Sequence, residues 1–176
     1  MAAIVSAANC TVTAGGGGAS IVTKSGGAAG AFDASAISAA GMDGPFVLRV
    51  KPPGSGLCYV GVSADPNAGI LPGSIDRSVQ INAAVWRAAD AGFLKPGSYP
   101  LDTFVWMRRA GGVLDYLSGP TLAGAVLRRT ITDPGGTLFF DSAIATAGLT
   151  LEVAFDVPGA FASRRPRRVL TLALGF

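Results

Sequence analysis

Glycine or proline interrupts nearly every stretch of this sequence long enough to form a helix, and short apolar runs recur between the interruptions. A chain with 25 glycines and 11 prolines in 176 residues has few uninterrupted windows in which a 3.6-residue period could develop. Short β-capable runs bounded by turn residues are the pattern of a sandwich or barrel. The spacing predicts about ten to twelve short strands packed as a two-sheet antiparallel sandwich in an all-β domain. One short helical turn over Ala34 to Ala40 is the alternative to strand at that position.

The predicted strands follow from alternation. In Pro45 to Lys51, Phe46, Leu48 and Val50 share one face while Val47, Arg49 and Lys51 share the other. Pro52-Pro53-Gly54-Ser55-Gly56 then reads as a turn into a second strand, Leu57 to Ser63, so the two are expected to form a hairpin. Arg77 to Arg87 reads as the longest strand, with Trp86 on its polar-parity face beside Arg87. Thr103 to Arg109 and Val113 to Leu117 flank Ala110-Gly111-Gly112, the cleanest hairpin signal in the chain. Thr11 to Thr13, Ser20 to Lys24, Leu122 to Thr132, Thr137 to Phe140, Thr150 to Asp156 and Val169 to Leu174 complete the set.

Composition narrows the functional classes. Hydrophobic residues make up 49% of the chain, which argues against disorder, and charged residues only 14%. A surface so poor in charge fits a protein covered by neighbours in an oligomer or particle. The net charge of +3 is too mild to expect nucleic-acid binding. Met1 to Thr13 lacks the features of a signal peptide, and no apolar run reaches the length of a membrane span, so neither secretion by that route nor membrane insertion is expected.

Candidate chemistry is sparse. Histidine is absent, which excludes histidine-dependent nucleophilic catalysis, and Glu152 is the only glutamate. Paired carboxylates for sugar hydrolysis would have to come from aspartates such as Asp102 and Asp115. Cys10 and Cys58 could close one disulfide but are more simply two buried thiols, and they are too few for a zinc site. Gly15-Gly16-Gly17-Gly18 lacks the Gly-Lys-Ser/Thr of a phosphate loop and reads as a hairpin tip or linker. Asp65, Asn67 and Asp76 could offer oxygen ligands to calcium, although turn chemistry accounts for the same residues. Trp86, Trp106, Tyr59, Tyr99 and Tyr116 could form a sugar-stacking platform, with core packing as the competing role. No metal or cofactor is expected.

The order of landmarks carries a resemblance. Ala31-Phe32-Asp33-Ala34-Ser35-Ala36-Ile37-Ser38 precedes the strand with Phe46, and Tyr59-Val60-Gly61-Val62-Ser63 runs into the loop at Asp65. Ser74-Ile75-Asp76 opens a long alternating stretch, and Lys95-Pro96-Gly97-Ser98-Tyr99 precedes Asp102-Thr103-Phe104-Val105-Trp106-Met107-Arg108-Arg109. Gly111-Gly112-Val113-Leu114-Asp115-Tyr116, Leu138-Phe139-Phe140-Asp141-Ser142 and Gly148-Leu149-Thr150-Leu151 close the series. This order resembles the concanavalin A-like lectin/glucanase sandwich domains of bacteriophage virion proteins, such as tail fibres and surface decorations, and of some bacterial surface proteins. The resemblance spans roughly residues 28 to 156 and implies a jelly-roll sandwich with a role in attachment or assembly. After Tyr116 the chain continues Leu117-Ser118-Gly119-Pro120, where the family often has a basic-Asn-Gly turn.

The expected organisation is a Gly-rich N-terminal arm or opening strands (1–27), a β-sandwich (28–156), and an Arg-rich turn with a closing or assembly strand (157–176). The expected function is a non-enzymatic structural protein on a phage particle, either an attachment module at the tail tip or fibre or a head decoration protein. A free carbohydrate-binding lectin is the alternative, with a glycoside hydrolase behind it. Trp86, Arg87, Tyr116, Asp65 and Asn67 are the candidate binding residues, and Arg164, Arg165, Arg167 and Arg168 the candidate assembly residues. The expected partners are other virion proteins, further copies of the chain and a host-surface glycan. The expected location is the virion, assembled in the host cytoplasm and released by lysis.

Overall fold

The computed structural model describes residues 2–101 and 103–157. Among these described residues strands account for 54% and helix for 4%, in line with the missing helical period of the sequence. The described residues form fifteen strands in chain order: β1 Ile4–Ala8, β2 Cys10–Ala14, β3 Ser20–Lys24, β4 Ser35–Ser38, β5 Phe46–Lys51, β6 Leu57–Ser63, β7 Arg77–Asn82, β8 Val85–Asp90, β9 Phe93–Leu94, β10 Tyr99–Pro100, β11 Val105–Ala110, β12 Val113–Ser118, β13 Val126–Thr132, β14 Phe139–Ile144 and β15 Thr150–Asp156. The large sheet has the order β13-β12-β11-β5-β15-β3-β2. The small sheet has the order β10-β8-β7-β6-β14, with β9 pairing β8. Strand β1 pairs β4, which abuts β14 through the Ala34 to Ile144 bridge. All pairings are antiparallel, and the two sheets face each other as a jelly-roll sandwich of the concanavalin A-like kind.

Strand β5 anchors the large sheet because its two faces are both apolar enough to bury. Phe46, Leu48 and Val50 enter the core between the sheets, where Phe46 meets Phe155 edge-on at 5.0 Å. Val47 on the opposite face joins Trp106 and Leu117 beneath Phe104, Leu122 and Ala125. Both edges of β5 are occupied, by β11 and β15, so it does not form the expected hairpin with β6. Strand β6 lies in the small sheet between β7 and β14. Pro52 and Pro53 lack the N–H donors that would extend a ladder across the link, and Gly56 carries φ 110 where the chain changes sheets.

The stretch 77–87 is likewise two strands, not one. Ala83, with φ 52, turns β7 back into β8, and Trp86 lands opposite Ile81. Residues opposite each other on paired strands share a face, so Trp86 points into the core and is fully buried. Residues 35–38 are strand β4 rather than a helical turn, because they pair with β1 and bond to β14 through serine hydroxyls. The 122–132 run begins its ladder only at Val126, and the preceding loop covers Trp106, whose Nε1 donates to the Gly119 carbonyl at 3.0 Å. The Gly111-Gly112 hairpin forms as expected, both glycines taking positive φ. Residues 15–19 form the tip between β2 and β3. The N-terminal residues are strands of the sandwich: β2 and β3 extend the large sheet beyond β15.

One buried cation fastens the two sheets. The Lys24 side chain has no exposure, and its Nζ lies 2.9 Å from the Ala28 carbonyl, 2.8 Å from that of Ala31, 3.1 Å from that of Ala145 and 2.6 Å from Asp33 Oδ1. Hydrogen bonding to Lys24 holds the Asp33 carboxyl below the usual carboxylate range. Removing one member of such a group strands the others without their partner. Lys24→Met is therefore expected to lower stability by about 3 kcal/mol, measured by urea unfolding. A loss under about 0.5 kcal/mol would show that the fastening is dispensable.

Candidate functional site

The sequence-derived binding residues separate in the structure. Trp86 and Tyr116 are core residues, and Trp86 packs on Tyr99 at 4.8 Å. Neither can reach a surface ligand, which corrects their assignment. The parity argument for Trp86 failed at the unrecognised turn after Asn82, and Tyr116 lies on the face of β12 that carries Leu114. Arg87 is exposed on the outer face of the small sheet. Asp65 and Asn67 are exposed on the β6–β7 loop, residues 64–76. Asp65 Oδ1 accepts the Asn67 N–H at 2.9 Å, the local bond of a turn. Asp76 Oδ2 accepts the Ala64 N–H at 2.7 Å and closes the base of the same loop. Arg164, Arg165, Arg167 and Arg168 lie outside the described residues.

The other sequence candidates have structural partners. Glu152 faces outward on the large sheet, 2.8 Å from Arg49, with Lys51 at 4.0 Å. Asp115 receives Arg108 at 2.6 Å and Thr130 at 2.7 Å, and Asp102 is outside the described residues. Cys10 and Cys58 are free and buried, and burial pushes their thiols up to about 11 and about 12. Thiols held protonated at neutral pH are packing groups, not nucleophiles. Among the described residues no cluster of three or more His, Cys, Asp or Glu side chains could hold a metal.

A different surface emerges where the β6–β7 loop meets the β8–β9 turn. The Ala91 N–H bonds the Asp76 carbonyl, and Gly92, at φ 78, abuts Gly73 so closely that a Cβ would lie 3.0 Å from the Gly73 nitrogen. Leu71 and Phe93 flank this contact and are 61% and 76% exposed, with Leu94 at 40%. Large apolar side chains left in solvent on adjoining segments mark a contact surface more often than chance placement does. Sequence alone offers one signal for it: Phe93-Leu94 follows the Ala91-Gly92 turn directly, where a polar residue is the norm.

Beneath the loop sits a buried acid. Asp141 is 1% exposed in β14, and its Oδ2 lies 2.7 Å from the Ser63 hydroxyl, which lies 3.3 Å from the Ser74 carbonyl. Burial, with smaller contributions from the neighbouring Asp76 and Asp65, pushes the Asp141 carboxyl up to about 7 against the lowering by hydrogen bonds from Ser63 and the Ser142 backbone. One hydroxyl proton cannot serve both of the Ser63 contacts. A protonated Asp141 resolves this by donating to Ser63, whose own proton then goes to Ser74 in the loop. Asp141-Ser142, two polar residues inside the apolar strand 139–144, were the overlooked sequence signal.

No protein-family model matches the sequence, and no curated protein sequence matches it significantly. Solved structures do share its fold. A stonustoxin structure superposes with TM-score 0.58 at 11% identity over 86% of this chain, which spans 28% of the toxin chain. The PSpry domain of TRIM65 gives TM-score 0.56 at 15% identity over 84% of this chain and 85% of the domain. The SPRY domain of human HERC1 gives 0.58 at 12% identity over 85% and 96%. At these identities the likeness is one of fold.

The Asp141 carboxyl makes a signed prediction. The unfolded chain releases this proton near the ordinary aspartate value and the folded chain near 7, so stability is expected to fall as pH rises from about 4 to about 7 and then to level. The full effect is on the order of 4 kcal/mol. Asp141→Asn, which keeps a donor toward Ser63, is expected to flatten that slope in unfolding titrations. An unchanged slope would place the titration elsewhere.

Proposed function

We propose that this protein is a non-enzymatic binding module that attaches to its partner through the surface of Leu71 and Phe93. The observation that carries the reading is the exposure of these two side chains, one on the β6–β7 loop and one directly after the β8–β9 turn, where loop and turn are held by backbone contact. A rigid sandwich presenting recognition residues on its loops is a common arrangement. The non-enzymatic reading is supported by the carboxylates. Glycoside hydrolysis needs two of them facing one substrate bond. Here Asp33, Asp90, Asp115, Asp133 and Glu152 are engaged by Lys or Arg, and Asp141 is buried beneath a loop.

The setting we propose is the surface of a bacteriophage particle, at the tail or the head. That setting rests on the sequence resemblance and on the charge-poor composition, which suits a chain covered by neighbours. A free lectin is the second reading. The Phe93 ring, with Asp65 and Asn67 exposed on the adjoining loop, offers an aromatic face and hydrogen-bonding groups of the kind that hold a sugar.

The double variant Leu71→Ser, Phe93→Ser changes only exposed side chains, so its stability is expected to stay within about 0.5 kcal/mol of the parent. Its incorporation into purified phage particles is expected to fall at least about tenfold, the effect of losing about 1.4 kcal/mol of contact. Glycan-array binding by the isolated monomer that disappears in the variant would establish the lectin instead. Particle incorporation and glycan binding both unchanged in the variant would remove this surface from the function.

A further inference from the structure

Two arginines, one carboxylate and a buried phenol share the inner space where β7 and β8 face β12 and β13. Tyr99, paired to β8, donates its hydroxyl to the Arg128 carbonyl of β13 at 3.1 Å, so these strands meet across the sandwich. Tyr116 lies opposite Arg129 in the β12–β13 ladder, and both project from the face that carries Leu114 and Ile131 toward the small sheet. Arg77 lies opposite Asp90 in the β7–β8 ladder, on the inner face with Val79 and Ala88. Burial raises the pKa of the Tyr116 hydroxyl, Arg77 and Arg129 act against that rise, and Asp90 adds to it, so all three lie within electrostatic reach of the phenol.

Positive charge exceeds negative charge here. Asp90 takes Arg77 on Oδ1 and Lys95 on Oδ2, the latter at 3.1 Å. Among the described residues no carboxylate pairs with Arg129. Asp115 is on the outer face of β12 with Arg108, and the Asp76 carboxylate is bonded to the Ala64 N–H. Arg77, Lys95 and Arg129 against Asp90 are three positive charges against one negative, an excess of two. Three buried atoms of the group also lack a hydrogen-bond partner among the described residues: the Tyr116 hydroxyl, Arg77 Nε and Arg129 Nε. Tyr116 is 1% exposed. A guanidinium carries donors only, so the two arginines cannot satisfy each other. Buried donors beside surplus positive charge are costly until an acceptor of opposite charge joins them.

We infer that this inter-sheet space is a binding site for a phosphate group, held between the Arg77 and Arg129 guanidinium groups with the Tyr116 hydroxyl donating to one of its oxygens. A phosphate carries about two negative charges near neutral pH, which matches the excess of two. Its oxygens accept N–H groups from more than one direction, and guanidinium groups suit them geometrically. The Arg77 side chain is 24% exposed and Arg129 is half-buried, so the guanidinium groups reach solvent while their Nε atoms lie inside. Tyr116, closed to a surface ligand, thereby meets one that enters between the sheets. The site uses the inner faces of the sandwich and stands independently of the Leu71 and Phe93 surface.

Titration of the full chain with inorganic phosphate tests this, followed by the arginine Nε–H signals in NMR. The Arg77 and Arg129 signals are expected to shift together, with a Kd at or below about 1 mM. Sodium chloride at matched ionic strength is expected to leave them in place, because screening alone supplies no acceptor of this kind. Arg129→Gln is expected to raise the Kd at least about tenfold, and Tyr116→Phe, which removes one oxygen and keeps the ring, at least about threefold. O-phosphoserine separates the sources. Its saturable binding with the same losses in both variants would assign the site to a phosphate carried on a larger molecule, and saturation by inorganic phosphate alone would assign it to the free anion. Shifts that never saturate in the parent chain, or that sodium chloride reproduces, would overturn the inference without recourse to any variant. A Kd unchanged in Tyr116→Phe would overturn it too, even if Arg129→Gln fails to fold.

Discussion

The Lys24 ammonium is the fastening on which the sandwich depends. Its strand lies in the large sheet, while the Ile144 and Ala145 carbonyls around it follow from the last residues of the small sheet. The Ala28 and Ala31 carbonyls and Asp33 come from the segment that leads into β4. A buried charge is tolerated only when surrounded by partners, so the cation dictates where three separate segments must pass. Apolar packing could close the sheets in several registers, whereas a cage of oxygens around one nitrogen admits few.

Polar groups define the other end of the molecule in a related way. Ser63 and Asp141 lie inside the fold but touch the loop that presents Leu71. The exposed apolar surface is thus supported from below by a hydrogen-bonded chain that ends on a loop carbonyl. Ile75 anchors the same loop by packing against Tyr59, Ala89 and Ala143, while Leu71 faces outward. Asp141 ties the loop's shape to a proton, because only the neutral acid satisfies both contacts of the serine.

Local signals were legible wherever a turn carried its own chemistry. Gly111-Gly112 supplies two positive-φ positions, and the hairpin around it stands in the structure as read. The turn at Ala83 lacks a glycine, so alternation was carried through it and Trp86 was placed on the wrong face. The break between β5 and β6 was hidden for another reason. A turn-rich link says that the chain bends, but whether it bends to the neighbouring strand or to the opposite sheet depends on which edges are already filled. Of the binding residues read from sequence, Arg87, Asp65 and Asn67 proved to be at the surface because charged and turn-forming groups resist burial, while the aromatic ones were drawn into the core.

By itself the amino-acid order determined that this protein is built from short strands, that it forms a two-sheet sandwich, and that its histidine-free side chains exclude whole classes of catalysis. Each of those follows from properties that act within a few residues or from composition. The tertiary structure alone decided which strands are neighbours, that β5 lies at the middle of its sheet, and that the β6–β7 loop meets the β8–β9 turn. Such contacts join residues distant in the chain, and their free energy comes from burying surfaces against each other, a quantity that no local window of sequence contains.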